Sequence, residues 1–163
     1  MRILEQVKDE ESVMVMFSGV GVYGIIIAKK QPLVKEIVCI EISPLAFEYM
    51  EENIKLNKVE DKITPILGDV KEKCKDWYGR FDRVIMPLPH EAWKYLVDAS
   101  KCLKNKGTIH MYLIEKEENV DEKVKEIITE FGKKINKNIL YKIQKVLPYA
   151  PRTNKYRIDI IPV

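Results

Sequence analysis

The chain has 163 residues, of which 46% are hydrophobic and 33% are charged, and this length and composition predict one compact domain over residues 1–163. The most apolar run, residues 20–28, is too short to cross a bilayer, which argues against a membrane span. The three cysteines include no CxxC pair, which argues against a zinc site or a disulfide framework and for a cytoplasmic setting. The net charge is only +3, but residues 131–158 contain eight Lys or Arg and no acidic residue, which predicts a polyanionic partner or, alternatively, a solvated strand face that lacks acids.

Apolar runs, caps and turn residues predict strands and helices that alternate along the chain. We expect a helical turn in 2–7, strands at 12–17, 36–41, 63–67, 81–86 and 108–114, and helices at 22–30, 44–57, 90–103 and 120–135. This alternation requires a mostly parallel sheet with helices on both faces. The last two strands, 139–147 and 156–161, have no helix between them and predict an antiparallel hairpin. The expected fold is therefore a doubly wound α/β fold with seven strands.

A glycine-rich segment follows the first predicted strand. Residues 17–24, Phe-Ser-Gly-Val-Gly-Val-Tyr-Gly, contain GxGxxG, and Glu41 ends the next strand twenty residues past Gly21. Glycines let the backbone approach a ligand closely, and an acid in this position accepts hydrogen bonds from ribose hydroxyls. A dinucleotide and S-adenosylmethionine both fit this pattern, and a tight turn without a ligand is the alternative.

Three further features favour S-adenosylmethionine over a nicotinamide dinucleotide. Asp69 ends the third strand, where its carboxylate can accept a hydrogen bond from the adenine amino group, although a helix cap is the alternative role. Residues 87–89, Pro-Leu-Pro, end the fourth strand at the same edge of the sheet. The terminal hairpin is common in S-adenosylmethionine-dependent methyltransferases and unusual in dehydrogenases.

Six short motifs occur in order and at suitable spacing along the chain. They are Met-Phe-Ser-Gly-Val-Gly at 16–21, Ile-Glu-Ile-Ser-Pro at 40–44, Asn-Ile-Lys-Leu-Asn at 53–57, Ile-Leu-Gly-Asp-Val at 66–70, Asp-Arg-Val-Ile-Met-Pro-Leu-Pro at 82–89 and Tyr-Ala-Pro-Arg at 149–152. Together they resemble the archaeal and eukaryotic tRNA guanine-37 N1-methyltransferases and the related aminocarboxypropyl transferases of wybutosine synthesis. The resemblance spans nearly the whole chain and implies a class I methyltransferase fold. It also implies that the chain corresponds to the catalytic domain only.

The resemblance implies methyl transfer from S-adenosyl-L-methionine to N1 of guanosine 37 in tRNA, by a monomer that needs no metal. The residues it assigns to the cofactor are Phe17, Gly19, Gly21, Glu41, Ile42, Asp69 and Val70. Two alternatives stay open. One is transfer of an aminocarboxypropyl group from the same cofactor to a modified tRNA guanosine, and the other is a catalytically silent module that binds RNA.

The strand-end motif departs from the family pattern. Pro87 and Pro89 are the candidate catalytic residues, but many members carry Asn at the position of Pro87. Proline has neither a side-chain amide nor a backbone N–H, so the motif can offer the base only carbonyl oxygens, those of Met86 and Pro87.

The position of the general base is the second departure from the family pattern. In the family a glutamate lies just upstream of an arginine that Arg2 resembles, and tRNA-binding domains lie further upstream, so we expect these parts to be missing here. His90 and Glu91 follow Pro89 and are candidate substitutes, although a surface role near a helix start is the commoner one.

The basic segment supplies the candidate RNA contacts Arg152, Lys145 and Lys155, with Arg152 in the hairpin turn as the preferred phosphate contact. His110 lies inside an apolar strand, which predicts a hydrogen-bonded core residue. Four aromatic residues are candidates for stacking on a base, with ordinary packing as the alternative: Tyr23, Trp77, Tyr78 and Trp93.

Overall fold

The computed structural model describes residues 3–163, so Arg2 lies outside the described residues. The strands are β1 Ser12–Met16, β2 Glu36–Glu41, β3 Ile63–Leu67, β4 Phe81–Met86, β5 Leu103–Lys116, β6 Ile139–Ala150 and β7 Thr153–Pro162. The helices are α1 Val22–Lys30, α2 Pro44–Asn57, α3 Val70–Lys73, α4 Leu96–Cys102 and α5 Val120–Ile135, with 3₁₀ turns at Ile3–Glu5, Cys74–Trp77 and Ala92–Tyr95. None of these helices is long and apolar enough to cross a membrane.

The strands form one seven-stranded sheet in the order β3-β2-β1-β4-β5-β7-β6. The first five strands in this order pair in parallel, and β7 pairs antiparallel with both β5 and β6. The chain leaves β1 towards one edge and returns to its other side with β4, so the winding reverses between these two strands. The predicted doubly wound sheet with a terminal antiparallel hairpin is confirmed.

Alternate residues of the central strands fill two separate cores. Met14 and Met16 face one core with α3, α4 and α5, whereas Val13 and Val15 face the other with α1 and α2. Every residue of β1 is buried, as expected for a parallel strand with helices on both faces. This double burial explains why the strand is a continuous apolar run.

Local signals fix the start of α2 where the sequence predicts it. Ser43 is the N-cap, and its hydroxyl oxygen accepts a hydrogen bond from the backbone N–H of Ala46 at 3.4 Å. Pro44 occupies the first helical position, where a missing N–H costs nothing. The positions of Glu41 at the end of β2 and of α2 beside it therefore follow from local chemistry.

The helix predicted over 90–103 is wrong in its bounds. The chain instead forms a turn, a 3₁₀ segment and the short helix α4, because two prolines fix the backbone just before it and delay the helix. The first strand ends at Met16 rather than at 17, since Phe17 has a positive φ of 59°. The short helix α3 was not predicted.

The hairpin strands are longer than predicted and their turn is shorter. β6 continues to Ala150, and only Pro151 and Arg152 separate it from β7. Pro148 is tolerated within β6 because this is an edge strand, where one side of the backbone needs no partner. The pairing shifts register twice near this proline.

Candidate cofactor and substrate site

The carboxyl ends of β1, β2, β3 and β4 meet at one edge of the sheet. The segments that follow them are 17–21, 41–43, 68–69 and 87–89. Because the winding reverses between β1 and β4, this edge has the crevice in which open α/β sheets bind their ligands. All predicted cofactor and catalytic residues lie along this edge, which we call the cofactor edge.

The three glycines of the loop have different neighbours. A Cβ added at Gly24 would lie 2.6 Å from Cys39 Sγ, and one at Gly21 would lie 2.9 Å from Met50 Cγ. Gly24 therefore lets α1 pack closely on β2, and Gly21 lets the loop pack closely on Met50 of α2. Gly19 has a φ of 55°, and an added Cβ would meet nothing within 4 Å, so this glycine faces open space where a ligand can approach.

Glu41 connects the end of β2 to the glycine loop. Its Oε2 accepts a hydrogen bond from the backbone N–H of Gly19 at 2.7 Å, and its Oε1 accepts one from the N–H of Ser43 at 2.9 Å. Hydrogen bonds to a carboxylate are stronger than neutral ones, so the buried side chain holds the loop in place. Each carboxylate oxygen has a further lone pair, which suits it to accept from ligand hydroxyls.

Asp69 and Val70 lie at the start of α3. Asp69 is exposed and is the N-cap, since its Oδ1 accepts a hydrogen bond from the N–H of Lys71 at 2.8 Å. The helix cap considered as the alternative role is thus present, and it engages one of the two carboxylate oxygens. The side chain of Val70 packs into the core and is only 4% exposed, so a contact between Val70 and a ligand would involve the backbone.

Ile42 is an apolar side chain without a packing role. It follows the buried Glu41 and is 61% exposed at the cofactor edge. Exposed single apolar side chains are common on protein surfaces, but this one stands beside the Glu41 carboxylate. It is placed to form an apolar wall against a flat ring.

Phe17 and Tyr95 form an aromatic pair that the sequence analysis missed. Their ring centroids are 4.9 Å apart in an edge-to-face arrangement, and Lys71 Nζ lies 5.2 Å from the centre of the Tyr95 ring. Phe17 has a φ of 59°, which is rare for an aromatic residue and typical of functional sites. The pair joins the segments after β1 and β4, and Tyr95 gave no signal because it lies in an unpredicted 3₁₀ turn.

The strand-end motif offers a limited set of backbone acceptors. The carbonyl of Leu88 accepts from the N–H of Ala92 at 3.1 Å, and that of Pro89 accepts from the N–H of Ile114 at 3.3 Å. Within the described part of the chain, the carbonyl of Pro87 accepts no backbone hydrogen bond. Of the carbonyls of 87–89, that of Pro87 is thus the one without a backbone donor in the described residues, and that of Pro89 connects the loop to β5.

The two candidate substitute bases are both exposed at the turn that precedes the 3₁₀ segment. Glu91 forms an ion pair with Lys94. The hydrogen bond and the charge of Lys94 hold the pKa of Glu91 below its ordinary value, which makes it a weaker base. His90 lies beside it on the surface and follows Pro89 directly.

The hairpin brings the predicted RNA contacts to the same end of the sheet. Thr153 pairs with Lys116 at the carboxyl end of β5, which places the exposed Arg152 at the cofactor edge. Lys155 Nζ lies 4.9 Å from the centre of the Tyr112 ring, and Lys145 forms an ion pair with Glu117 at 3.5 Å. Arg152 and Lys145 are exposed, whereas Lys155 is half-buried.

Arg157 belongs to the basic segment in the sequence but lies inside the protein. It is 2% exposed and donates hydrogen bonds to Asp159 and Gln144. His110 is confirmed as a bonded core residue, since its Nδ1 lies 2.7 Å from Asp159 Oδ1 and its Nε2 lies 3.1 Å from Arg83 Nη1. Burial lowers the pKa of His110, although the hydrogen bond with Asp159 opposes this shift.

Comparison with known proteins identifies similar sequences. The TRM5/TYW2 methyltransferase domain matches residues 1–140. The tRNA (guanine(37)-N(1))-methyltransferase Trm5b of Pyrococcus abyssi is 39% identical over 163 residues, which cover 98% of this chain and 46% of that protein. The tRNA(Phe) (4-demethylwyosine(37)-C(7)) aminocarboxypropyltransferase of Methanocaldococcus jannaschii is 36% identical over 146 residues, which cover 88% of this chain and 56% of that protein. The chain thus spans about half the length of these relatives.

Solved structures share the fold over nearly the whole chain. M. jannaschii TYW2 in complex with AdoMet has a TM-score of 0.87 and 31% identity, with 98% of this chain and 72% of that chain covered. The complex of aTrm5 and tRNALeu has a TM-score of 0.78 and 35% identity, with 98% of this chain and 44% of that chain covered. The first of these proteins is thus in complex with AdoMet, and the second is in complex with tRNALeu.

Proposed function

The chain belongs to the TRM5/TYW2 methyltransferase domain family, and we propose that it binds S-adenosylmethionine and methylates N1 of guanosine 37 in tRNA. The observation that carries the proposal is the pair of hydrogen bonds from Gly19 and Ser43 to Glu41. This arrangement holds an acceptor and an open glycine together at the cofactor edge. The action on tRNA implies a place in the cytoplasm.

The residues at the cofactor edge fit S-adenosylmethionine in chemical type. Glu41 offers carboxylate lone pairs to ribose hydroxyls, Ile42 offers an apolar wall to adenine, and Asp69 has a second oxygen for the adenine amino group. Gly19 leaves space for close approach, and Phe17 lines the same end. When bound, the cofactor supplies an electrophilic methyl group on a sulfonium.

Methyl transfer to guanine requires more than a bound cofactor. N1 of guanine carries a proton, so a base must remove it while the ring is held in line with the methyl group. We propose that the carbonyl of Pro87 accepts a hydrogen bond from the guanine edge and that Pro89 positions this carbonyl through its bond to β5. Neither proline can take the proton, and Glu91 is ion-paired with Lys94, so the proton of N1 is proposed to pass to the imidazole of the exposed His90, which follows Pro89.

The proposed chemistry needs no metal, because breaking the bond between the methyl group and the sulfonium releases a neutral thioether, which is a good leaving group. Among residues 3–163 no three His, Cys, Asp or Glu side chains form a cluster that could hold a metal ion. We also propose that the chain acts as a monomer.

The partner is proposed to be tRNA on two grounds. Arg152 is exposed at the hairpin turn beside the cofactor edge, where a base inserted into the crevice would bring its phosphates. The similarity to the complex of aTrm5 and tRNALeu supports the same partner.

The direct test is methyl transfer with labelled S-adenosylmethionine to two tRNA transcripts that differ only in guanosine or adenosine at position 37. We expect label in the guanosine transcript alone, and Asp69→Ala should reduce it by weakening cofactor binding. Equal label in both transcripts would overturn the assignment of the site.

Aminocarboxypropyl transfer is the second candidate, because the M. jannaschii aminocarboxypropyltransferase is 36% identical over 88% of this chain. Both reactions start from the same sulfonium and differ in the carbon that is attacked. The mass of the modified nucleoside distinguishes them. A chain that binds tRNA but no cofactor would instead be a silent RNA-binding module.

A further inference from the structure

A second charged feature lies at the end of the sheet opposite the cofactor edge. Here a groove of about 330 Å³ opens between the carboxyl-terminal ends of α4 and α5 and the beginning of β5. Its lining contains five lysines and no acidic residue. The lysines are Lys101, Lys104, Lys106, Lys134 and Lys137, and we call this the lysine groove.

The lysine groove is separate from the cofactor edge. Phe81 at the amino end of β4 pairs with Leu103 in the groove, whereas Pro87 follows the carboxyl end of the same strand. At about 3.3 Å per residue the two ends of β4 are on the order of 20 Å apart. The groove therefore does not belong to the cofactor site.

An irregularity in the sheet creates one side of this groove. Phe81 pairs with Leu103 and Arg83 with Thr108, so 104–107 of β5 lie opposite a single residue of β4. Such bulges re-aim side chains and end regular pairing. Lys106 is exposed here with a φ of 65°, a conformation that non-glycine residues rarely adopt.

The positive charge of the groove is only partly compensated. Lys104 pairs with Asp82 at 2.7 Å, and Lys134 pairs with Glu130 at 2.6 Å. Within residues 3–163, the other three lysines have no carboxylate within ion-pair distance. Lysines also balance the negative ends of helix dipoles, but this explains Lys101 and Lys134 in their last turns and not Lys106 in β5.

We propose that the lysine groove binds the sugar-phosphate backbone of the RNA substrate as a second contact, remote from the modified base. The inference rests on the proposed function, which supplies RNA as the partner. Lysine ammonium groups are point charges that bind phosphates without reading sequence. An open groove without acidic lining residues suits a continuous chain of phosphates.

The test is binding of a fluorescent tRNA transcript over a range of salt concentrations. The charge-reversal variant Lys106→Glu with Lys137→Glu changes two lysines that hold no ion pair in the described chain. We expect about tenfold weaker binding at low salt and a salt slope smaller by about two phosphate contacts, with S-adenosylmethionine affinity unchanged.

The matched control is Lys30→Glu with Lys55→Glu, which has the same change in net charge. These lysines lie in the last turns of α1 and α2, outside the groove. The control should keep more of the tRNA affinity and the full salt slope. Equal losses in the two double variants, or an unchanged slope in the groove variant, would overturn the proposal.

Failure of the proposed function gives a different result. If the wild-type chain binds no tRNA, both the groove and the tRNA partner are overturned. If it binds tRNA and the groove variant binds equally well, the groove alone is overturned.

Discussion

The two halves of the sheet differ in the chemical groups that they offer for binding. In the parallel half, β3-β2-β1-β4, the inner strands β2, β1 and β4 are apolar and largely buried. The candidate site there is built from backbone N–H groups, glycines and the acids Glu41 and Asp69. In the antiparallel half, β5-β7-β6, the distinctive groups are charged side chains, with Arg152 at one end, the lysine groove at the other and Asp159 in a buried network. The difference teaches that cofactor binding should depend on backbone geometry, whereas RNA binding should depend on salt-sensitive charge.

The largest expected effect concerns the buried network of the antiparallel half. Asp159 accepts hydrogen bonds from His110, Arg157 and Gln6. Asp159→Asn removes the carboxylate charge that faces the buried Arg157 guanidinium, which should lower the free energy of unfolding by about 3–5 kcal/mol. Urea denaturation measures this change.

The control is Glu130→Gln, which removes an exposed ion pair with Lys134. Exposed pairs contribute little, so the loss should stay below about 1 kcal/mol. A similarly small loss for Asp159→Asn would contradict the role of the network in the antiparallel half.

The next prediction compares the effects of substituting two glycines of the parallel half. Gly21→Ala should lower the free energy of unfolding by about 3 kcal/mol, because its φ is 89° and its Cβ would collide with Met50. Gly19→Ala costs only the strain of its φ, about 1–2 kcal/mol, and should instead weaken cofactor binding. Paired denaturation and binding measurements test this, and cofactor affinity that Gly19→Ala leaves unchanged would contradict the open approach at that residue.

A smaller effect is the pH dependence of stability. The pKa of His110 lies below its ordinary value because of burial, so the unfolded chain binds more protons. The contribution of His110 to the free energy of unfolding is therefore fully present above a pH of about 6.5, the ordinary pKa of histidine. It is lost as the pH falls below that value, by at most about 1.4 kcal/mol per pH unit. His110→Gln should remove this loss between pH 6.5 and 5.

The other histidine of the chain provides the control. His90 is exposed and lies outside the hydrogen-bond network of Asp159, so His90→Gln is the matched substitution. Identical pH profiles for the wild type and His110→Gln would show that the core histidine is not the titrating group.

The two halves also differ in how well the sequence predicts them. Ser43 and Pro44 mark the start of α2, and continuous apolar runs mark β1 and β2, because these signals are local. The candidate cofactor residues Gly19, Glu41 and Asp69 could be named from local signals, whereas Phe17, Ile42 and Val70 were assigned by the resemblance to the family. The continuation of β6 past Pro148 depends on its position at the sheet edge, which local patterns do not contain.

The missed features depend on contacts between distant segments. The pair of Phe17 and Tyr95 requires the loops after β1 and β4 to meet, and the lysine groove requires the shifted register between β4 and β5. Lys101 and Lys106 lie outside the basic segment that the sequence singled out. Lys134 and Lys137 of the groove belong to that segment, so charge counted along the chain identified part of the lysine groove but not the residues that complete it.

The most direct measurement is calorimetric titration of S-adenosylmethionine into the wild-type chain and Glu41→Gln, with Glu36→Gln as the control at the opposite end of the same strand. We expect the wild type and the control to bind alike. Glu41→Gln should bind at least about tenfold more weakly, because the amide cannot accept both backbone N–H groups. No binding by the wild type, or equal binding by Glu41→Gln, would contradict the assignment of the cofactor edge.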